Sequence, residues 1–167
     1  MALVILQGKQ ALSSFRITAL IESLRKAPTP FRVSGIETSF VYFVETRGKL
    51  SKDIMDKTLV LLGATGACKT KDGFLVTPRK GTISPWSSKA TDIFRNCGMT
   101  AITRVERGIR YRVFTAPARG KAKKKASASR RGQKVLSLQQ ARPILDLLHD
   151  RMTEGVYTDV SDIFKHM

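Results

Sequence analysis

The chain opens with a short apolar run, Leu3 to Leu6, after which Ile17, Leu20, Ile21 and Leu24 recur at i, i+3, i+4 and i+7. The run predicts a buried strand, and the spacing predicts one face of a helix that stops before Pro28. Phe31 to Glu37 and Phe40 to Glu45 are β-branched and aromatic runs separated by a polar break, so two further strands are expected. Ser51 is placed to cap a helix running through Ile54, Leu59 and Leu62 to a stop at Gly63. The first half therefore reads βαββα.

The same order begins again with a strand at Phe74 to Thr77. A helix follows on which Ala90, Ile93, Phe94 and Cys97 repeat the helical spacing and Gly98 supplies the stop. Ala101 to Glu106 and Ile109 to Phe114 flank Arg107-Gly108, which is expected to be a hairpin turn. Leu138, Ala141, Leu145, Leu148 and Met152 mark a last helix with Pro143 in its first turn. The expected fold is α+β. Two βαββα half-units, residues 1–70 and 71–160 of a single domain 1–167, form a fused pseudo-dimer with antiparallel sheets packed together and helices outside.

Composition changes this picture in one place. With 167 residues and 42% hydrophobic content there is enough apolar surface for one ordinary core or two small fused units. The formal charge of +17 is unevenly spread: Arg119, Lys121, Lys123, Lys124, Lys125, Arg130, Arg131 and Lys134 stand among Ala, Ser and Gly with no acid between them. Such a run cannot bury apolar surface, so residues 117–136 are expected to form a basic, flexible insertion. A polyanion such as RNA is the partner its charge would fit, through Lys121, Lys123, Lys124, Lys125, Arg130 and Arg131. The run has no aromatic residue for base stacking, so contacts would be to phosphates.

The two cysteines, Cys68 and Cys97, fall outside any Cys-x-x-Cys spacing, so neither a disulfide framework nor a zinc site is indicated. No apolar run reaches the ~20 residues that span a bilayer, and a cytoplasmic location is expected. Acidic residues are absent until Glu22, a trait of mitochondrial transit peptides, but the helical spacing of this stretch reads better as a packed helix.

Catalytic patterns are sparse. Gly63-Ala64-Thr65-Gly66-Ala67-Cys68-Lys69-Thr70 approaches a phosphate-binding loop, but Cys68 stands where its second glycine belongs. The segment also follows a helix and leads into a strand, the reverse of what aims helix amides at phosphate. His149 precedes Asp150, yet neighbours on a helix point about 100° apart, so the acid is poorly placed to orient the ring. A surface or capping histidine is expected.

The run Pro78-Arg79-Lys80-Gly81-Thr82-Ile83-Ser84-Pro85-Trp86-Ser87-Ser88-Lys89-Ala90-Thr91-Asp92-Ile93 gathers hydroxyls, cations and the only tryptophan at a helix start. Unpaired amides there favour an anion or an acidic side chain. This run resembles a signature of the large, single-chain phosphoribosylformylglycinamidine synthases. Ala11 to Arg16, Asn96 to Gly98, Arg104 to Gly108 and Leu148 to Glu154 add shorter matches along the chain.

The resemblance implies an N-terminal domain similar to a fused pair of small subunits, which agrees with the doubled element order. It implies purine biosynthesis by a glutamine- and ATP-dependent amidoligase, with ATP and magnesium used elsewhere in the parent enzyme and no cofactor in this chain. It further implies that the domain braces the synthetase and glutaminase domains and helps shape the substrate cleft. Arg79, Ser84, Trp86, Ser87, Ser88, Lys89 and Asp92 carry over as candidate interface or cleft residues. Ser87, Ser88, Lys89 and Asp92 are expected at an exposed helix start, with Trp86 partly buried beneath them. The family's later domains are expected after the last helix, whereas the chain stops at Met167, and the basic run departs from the family pattern. A fragment, a separately encoded domain and a repurposed scaffold binding RNA or a large assembly all remain open.

Overall fold

The computed structural model describes residues 2–69, 71–116 and 134–158. The first three helices lie where the apolar spacing put them, with ends set by local capping chemistry. Ser13 Oγ accepts the Arg16 amide at the start of α1 (Ser14–Lys26), which ends at Ala27, just before Pro28. Ser51 Oγ accepts the Ile54 amide at the start of α2 (Lys52–Leu62), and Gly63 closes that helix in the left-handed region, with φ of 65°. Ser84 caps α3 (Pro85–Asn96), where Pro85 in the first turn forfeits an amide that had no helical acceptor.

The strands are β1 (Ala2–Gln7), β2 (Val33–Thr46), β3 (Gly66–Ala67), β4 (Phe74–Pro78), β5 (Ile102–Thr115), β6 (Lys134–Val135) and β7 (Glu154–Tyr157). Among the described residues they form one antiparallel sheet in the order β3-β1-β2-β5-β4-β7, with β6 paired to the end of β5. The α+β class is as expected. The arrangement of the strands is not: one continuous sheet stands where two packed sheets were anticipated.

The difference arises at two places. Val33 to Glu37 and Phe40 to Glu45 are not two strands but parts of β2, with Phe31 and Arg32 just before it, and Arg107-Gly108 is not a turn but the middle of β5. These two 14-residue strands pair along their length, from Val33 opposite Thr115 to Thr46 opposite Ile102, with Val41 opposite Gly108. A long strand left at an edge exposes a row of unpaired amides and carbonyls, and joining β2 to β5 removes two such edges at once. Gly108 serves packing instead of turning, since a Cβ there would lie 2.7 Å from Thr77 Cγ2 and 3.0 Å from the Val76 carbonyl.

The strand order is palindromic. The first half supplies β3, β1 and β2, the second supplies β5, β4 and β7, and the halves meet through their long strands. Ile36, Tyr42 and Val44 share one face of β2 because side chains alternate. Ile36 packs with Leu24 of α1, and with Ile144 and Leu148 near the C-terminal end; Tyr42 and Val44 pack with Ala90 and Phe94 of α3 and with the α2 side chains Ile54, Met55 and Leu59. The helices thus cover the same face of the sheet. Val41 and Phe43 point the other way and pack with Leu75, Ile5, Cys68 and Tyr157.

The last helix is much shorter than its apolar spacing indicated. A 3-10 turn at Arg142–Ile144 precedes α4, which spans only Leu145–Leu148. Ser137 and Gln140 satisfy each other's amides through their side chains, which favours a local turn over helix. At the other end Asp150 Oδ1 accepts the Met152 amide and leaves Met152 exposed, outside the stripe to which it was assigned.

Residues 117–133 of the expected basic insertion, including Lys121, Lys123, Lys124, Lys125, Arg130 and Arg131, lie outside the described residues. Its expected last positions belong to the fold: Lys134 and Val135 pair with β5, and Leu136 is buried in the core.

Candidate functional site

The connection from β4 to α3 is held from beneath by a single buried carboxylate. Arg79 and Thr82 close a turn in which the Arg79 carbonyl accepts the Thr82 amide at 3.1 Å and hydroxyl at 2.6 Å, with Gly81 at φ 78°. The chain then passes alongside β5. Glu106, only 5% exposed, accepts a hydrogen bond from Ser84 Oγ at 2.8 Å and lies 3.5 Å from the Ser84 amide. It also accepts the Arg107 amide at 3.0 Å and pairs with Arg104 Nη2 at 3.4 Å. Arg104 in turn donates to the Thr82 carbonyl, tying the same loop to the strand.

The start of α3 therefore has its anion already. Ser84 Oγ accepts the Ser87 amide while donating to Glu106, so the positive end of the helix faces a carboxylate from its own sheet. The polar density in this segment matches the acidic-side-chain reading, and the acid is Glu106.

Trp86 is half-buried and stacks on Tyr42, with ring centroids 6.0 Å apart. The Arg107 guanidinium lies over both Trp86, at 4.7 Å, and Phe40, at 4.6 Å. A weakly hydrated, planar cation suits such a place between rings. Burial raises the Tyr42 pKa above its ordinary value, and the nearby Arg107 charge works in the opposite direction.

The remaining expected residues divide into two groups. Ser87 is fully buried and its hydroxyl donates to the Val105 carbonyl, so it belongs to the helix-sheet contact and not to an exposed face. Ser88, Lys89 and Asp92 are exposed on α3 beside Ile93, and Arg79 is exposed on the loop before it. Asp92 pairs with Arg95 at 3.7 Å in solvent, an interaction of small energetic consequence. Beside this helix, an open groove of about 450 Å³ is lined by Val60, Leu61, Cys97 and Met99 together with Asp56 and Lys57.

The other sequence candidates stand apart from this segment. Gly63 ends α2, and Gly66–Ala67 pairs with β1, so the phosphate-loop-like run has no helix start to present to a nucleotide. His149 caps α4, with Nδ1 2.6 Å from the Leu145 carbonyl, while Asp150 serves its own turn. Among the described residues there is no group of three or more His, Cys, Asp or Glu placed to hold a metal ion, and no helix long and apolar enough to cross a membrane.

Glu106 and Arg107 were absent from the residues expected to form this site, although both lie in one of the shorter family-like motifs. A signal for Glu106 exists. When the sequence of Val33–Thr46 is aligned with that of Ile102–Thr115, first residue to first, Glu37 matches Glu106, Tyr42 matches Tyr111, Val44 matches Val113 and Thr46 matches Thr115. Residues 39–165 match the family model described as formylglycinamide ribonucleotide amidotransferase N-terminal. The match takes in β5, α3 and the loop between Pro78 and Ser84. With most of its length so matched, the chain belongs to the formylglycinamide ribonucleotide amidotransferase N-terminal family.

Proposed function

We propose that this chain is a non-catalytic N-terminal domain of phosphoribosylformylglycinamidine synthase. It braces the synthetase and glutaminase domains of the enzyme during the glutamine- and ATP-dependent amidation of formylglycinamide ribonucleotide. ATP and magnesium act in the synthetase domain, and no step involving them is assigned to these residues. The location is cytoplasmic.

The observation that carries this reading, beside the family match, is the internal satisfaction of the α3 start. Because Glu106 occupies the position an anionic substrate would take, the segment is suited to docking and positioning. What it presents outward is Ser88, Lys89, Asp92 and Ile93, and an apolar groove at Val60 and Leu61 opens by Cys97, where the helix ends. In a full-length relative, Lys89→Ala with Asp92→Ala should lower amidine formation by about tenfold, equal to about 1.4 kcal/mol, while thermal stability stays near that of the parent. Equal activity at equal expression would remove these residues from the interface.

The eight cations between Arg119 and Lys134 support a second reading, attachment to RNA or a ribonucleoprotein assembly. Binding would be sequence-tolerant and fall steeply with salt because counterions are released. Titration against single-stranded RNA at several salt concentrations tests it. Neutralising these cations should remove most of the salt slope, and an unchanged slope would exclude the segment.

A further inference from the structure

The outer edge of β2 is covered for only part of its length. β1 pairs with it from Thr46 to Val41, and Gly8 and Lys9 then bond the carbonyl and amide of Phe40 before the chain turns away to α1. Backbone groups in an antiparallel sheet point alternately to the two neighbouring strands. Thr38 and Ile36, in step with Phe40, therefore direct their amides and carbonyls away from β5. The Thr38 hydroxyl accepts the Leu12 amide, but these four backbone groups have no partner among the described residues. A cavity of about 560 Å³ lies beside them. Its lining combines Ile17 and Thr18 of α1 with Ser39 and Arg112 from the far face of the sheet, so it passes around the open edge of β2.

The corresponding edge of β5 is closed. In the alignment of the two long strands, Val105 and Arg107 match Ile36 and Thr38. The Val105 carbonyl accepts the Ser87 hydroxyl, its amide donates to Thr91 Oγ1, and the Arg107 amide donates to Glu106. Counted from the cap serines Ser84 and Ser13, Ser87 and Thr91 match Arg16 and Leu20, so α1 carries no hydroxyl at either place. Glu37, the match of Glu106, is held by Arg112.

One edge is thus served by its own helix and the other is not. Ile36 is 3% and Thr38 6% exposed, and backbone groups so deep in a fold are nearly always paired. Water can serve such groups singly. A donor and an acceptor repeated about 7 Å further along a strand match the backbone of another strand.

We propose that the open edge of β2 at Ile36 and Thr38 receives an extended segment of another polypeptide, which lies in the cavity beside α1 as an added antiparallel strand. It continues the line of β1, in a sheet whose described pairings are all antiparallel. α1 walls the cavity on one side, which admits a single chain and obstructs the edge of a second folded copy. Residues of the segment that bond Ile36 and Thr38 place their side chains on the α1 side, beside Ile17, and are apolar. Those between them face Ser39 and the Glu37–Arg112 pair, and are polar. This site does not depend on the role proposed for the α3 segment.

The test is residue-resolved NMR of the full 167-residue chain. Without peptide, the Ile36 and Thr38 amides should exchange with deuterium faster than those of Glu37 and Ser39, which face β5. Titration with acetyl-Ser-Val-Ser-Val-Ser-amide should shift the Ile36 and Thr38 amides saturably and slow their exchange. N-methylation of the two valines removes the donors aimed at β2 and should weaken binding by about tenfold or more, whereas N-methylation of the serines should be tolerated. Thr18 is exposed and bonds only within α1, so Thr18→Phe should obstruct the cavity and abolish binding without loss of thermal stability. Slow exchange of both edge amides in the free chain, absence of binding, or shifts confined to other regions would each overturn the proposal. So would equal binding of the valine-methylated peptide, undiminished binding by folded Thr18→Phe, or shifts of the edge amides with protein concentration alone, which would assign the edge to a second copy.

Discussion

Ser84 Oγ and the buried Glu106 carboxylate lie 2.8 Å apart, across 22 positions of sequence, and join the start of α3 to the middle of the sheet. The serine hydroxyl donates to Glu106 and accepts from the Ser87 amide, so one atom links strand, cap and helix.

Removing either partner should cost stability unequally. Ser84→Ala should cost about 1 kcal/mol as the loss of an N-cap. Glu106→Ala removes the acceptor of the Ser84 hydroxyl and the Arg107 amide, and the charge facing Arg104, in a dry setting, and should cost about 3 kcal/mol. Urea denaturation of both single variants and the double variant checks this, and the double variant should lose less than the sum.

Gly108→Ala should destabilise the fold by about 2 kcal/mol through overpacking, because the added methyl would meet Thr77 Cγ2 at 2.7 Å and the Phe43 ring at 3.2 Å. If Arg107-Gly108 were a solvent-exposed turn, the same change would be nearly neutral. Thermal unfolding distinguishes the two outcomes.

Tyr111 carries a pH signature. Burial, with the Glu154 charge as a second cause, pushes its phenol from 10.0 up to about 12. A folded pKa raised above the unfolded one means that the unfolded state releases its proton first. Tyr111 should therefore support the fold fully below pH 10.0, and this support should be lost as pH rises towards about 12. Comparing stability against pH for the parent and Tyr111→Phe isolates the contribution, which should be absent from the variant.

Arg107→Ala should cost about 1 kcal/mol through loss of contact with the Phe40 and Trp86 rings. As Trp86 is the only tryptophan, its fluorescence reports directly on the site and should shift to the red as water gains access. An unchanged spectrum would show that the guanidinium does not shield the indole.

Much of the local structure was legible because its causes are local. Ser13, Ser51 and Gly63 mark helix ends through hydrogen bonds or backbone angles that involve neighbours within a few residues. The helical spacing of Ile17, Leu20, Ile21 and Leu24 named the buried face of α1. The signature run located a helix start rich in polar contacts, though Ser87 proved to be internal and Ser88, Lys89 and Asp92 external.

What the sequence by itself determined is the α+β class, the first three helices and the family. Each rests on spacing, capping or motif within short stretches of chain. Only the tertiary structure decided that β2 and β5 run unbroken as the centre of one sheet, since a polar pair such as Arg107-Gly108 turns or continues according to what lies beside it. It also decided which acid serves which cation: Glu37 and Glu106 hold matching places on their strands, but Arg112 captures the first and Ser84 with Arg104 the second. Those choices depend on side chains that meet from distant parts of the chain, and their energies arise only when the fold removes both partners from water.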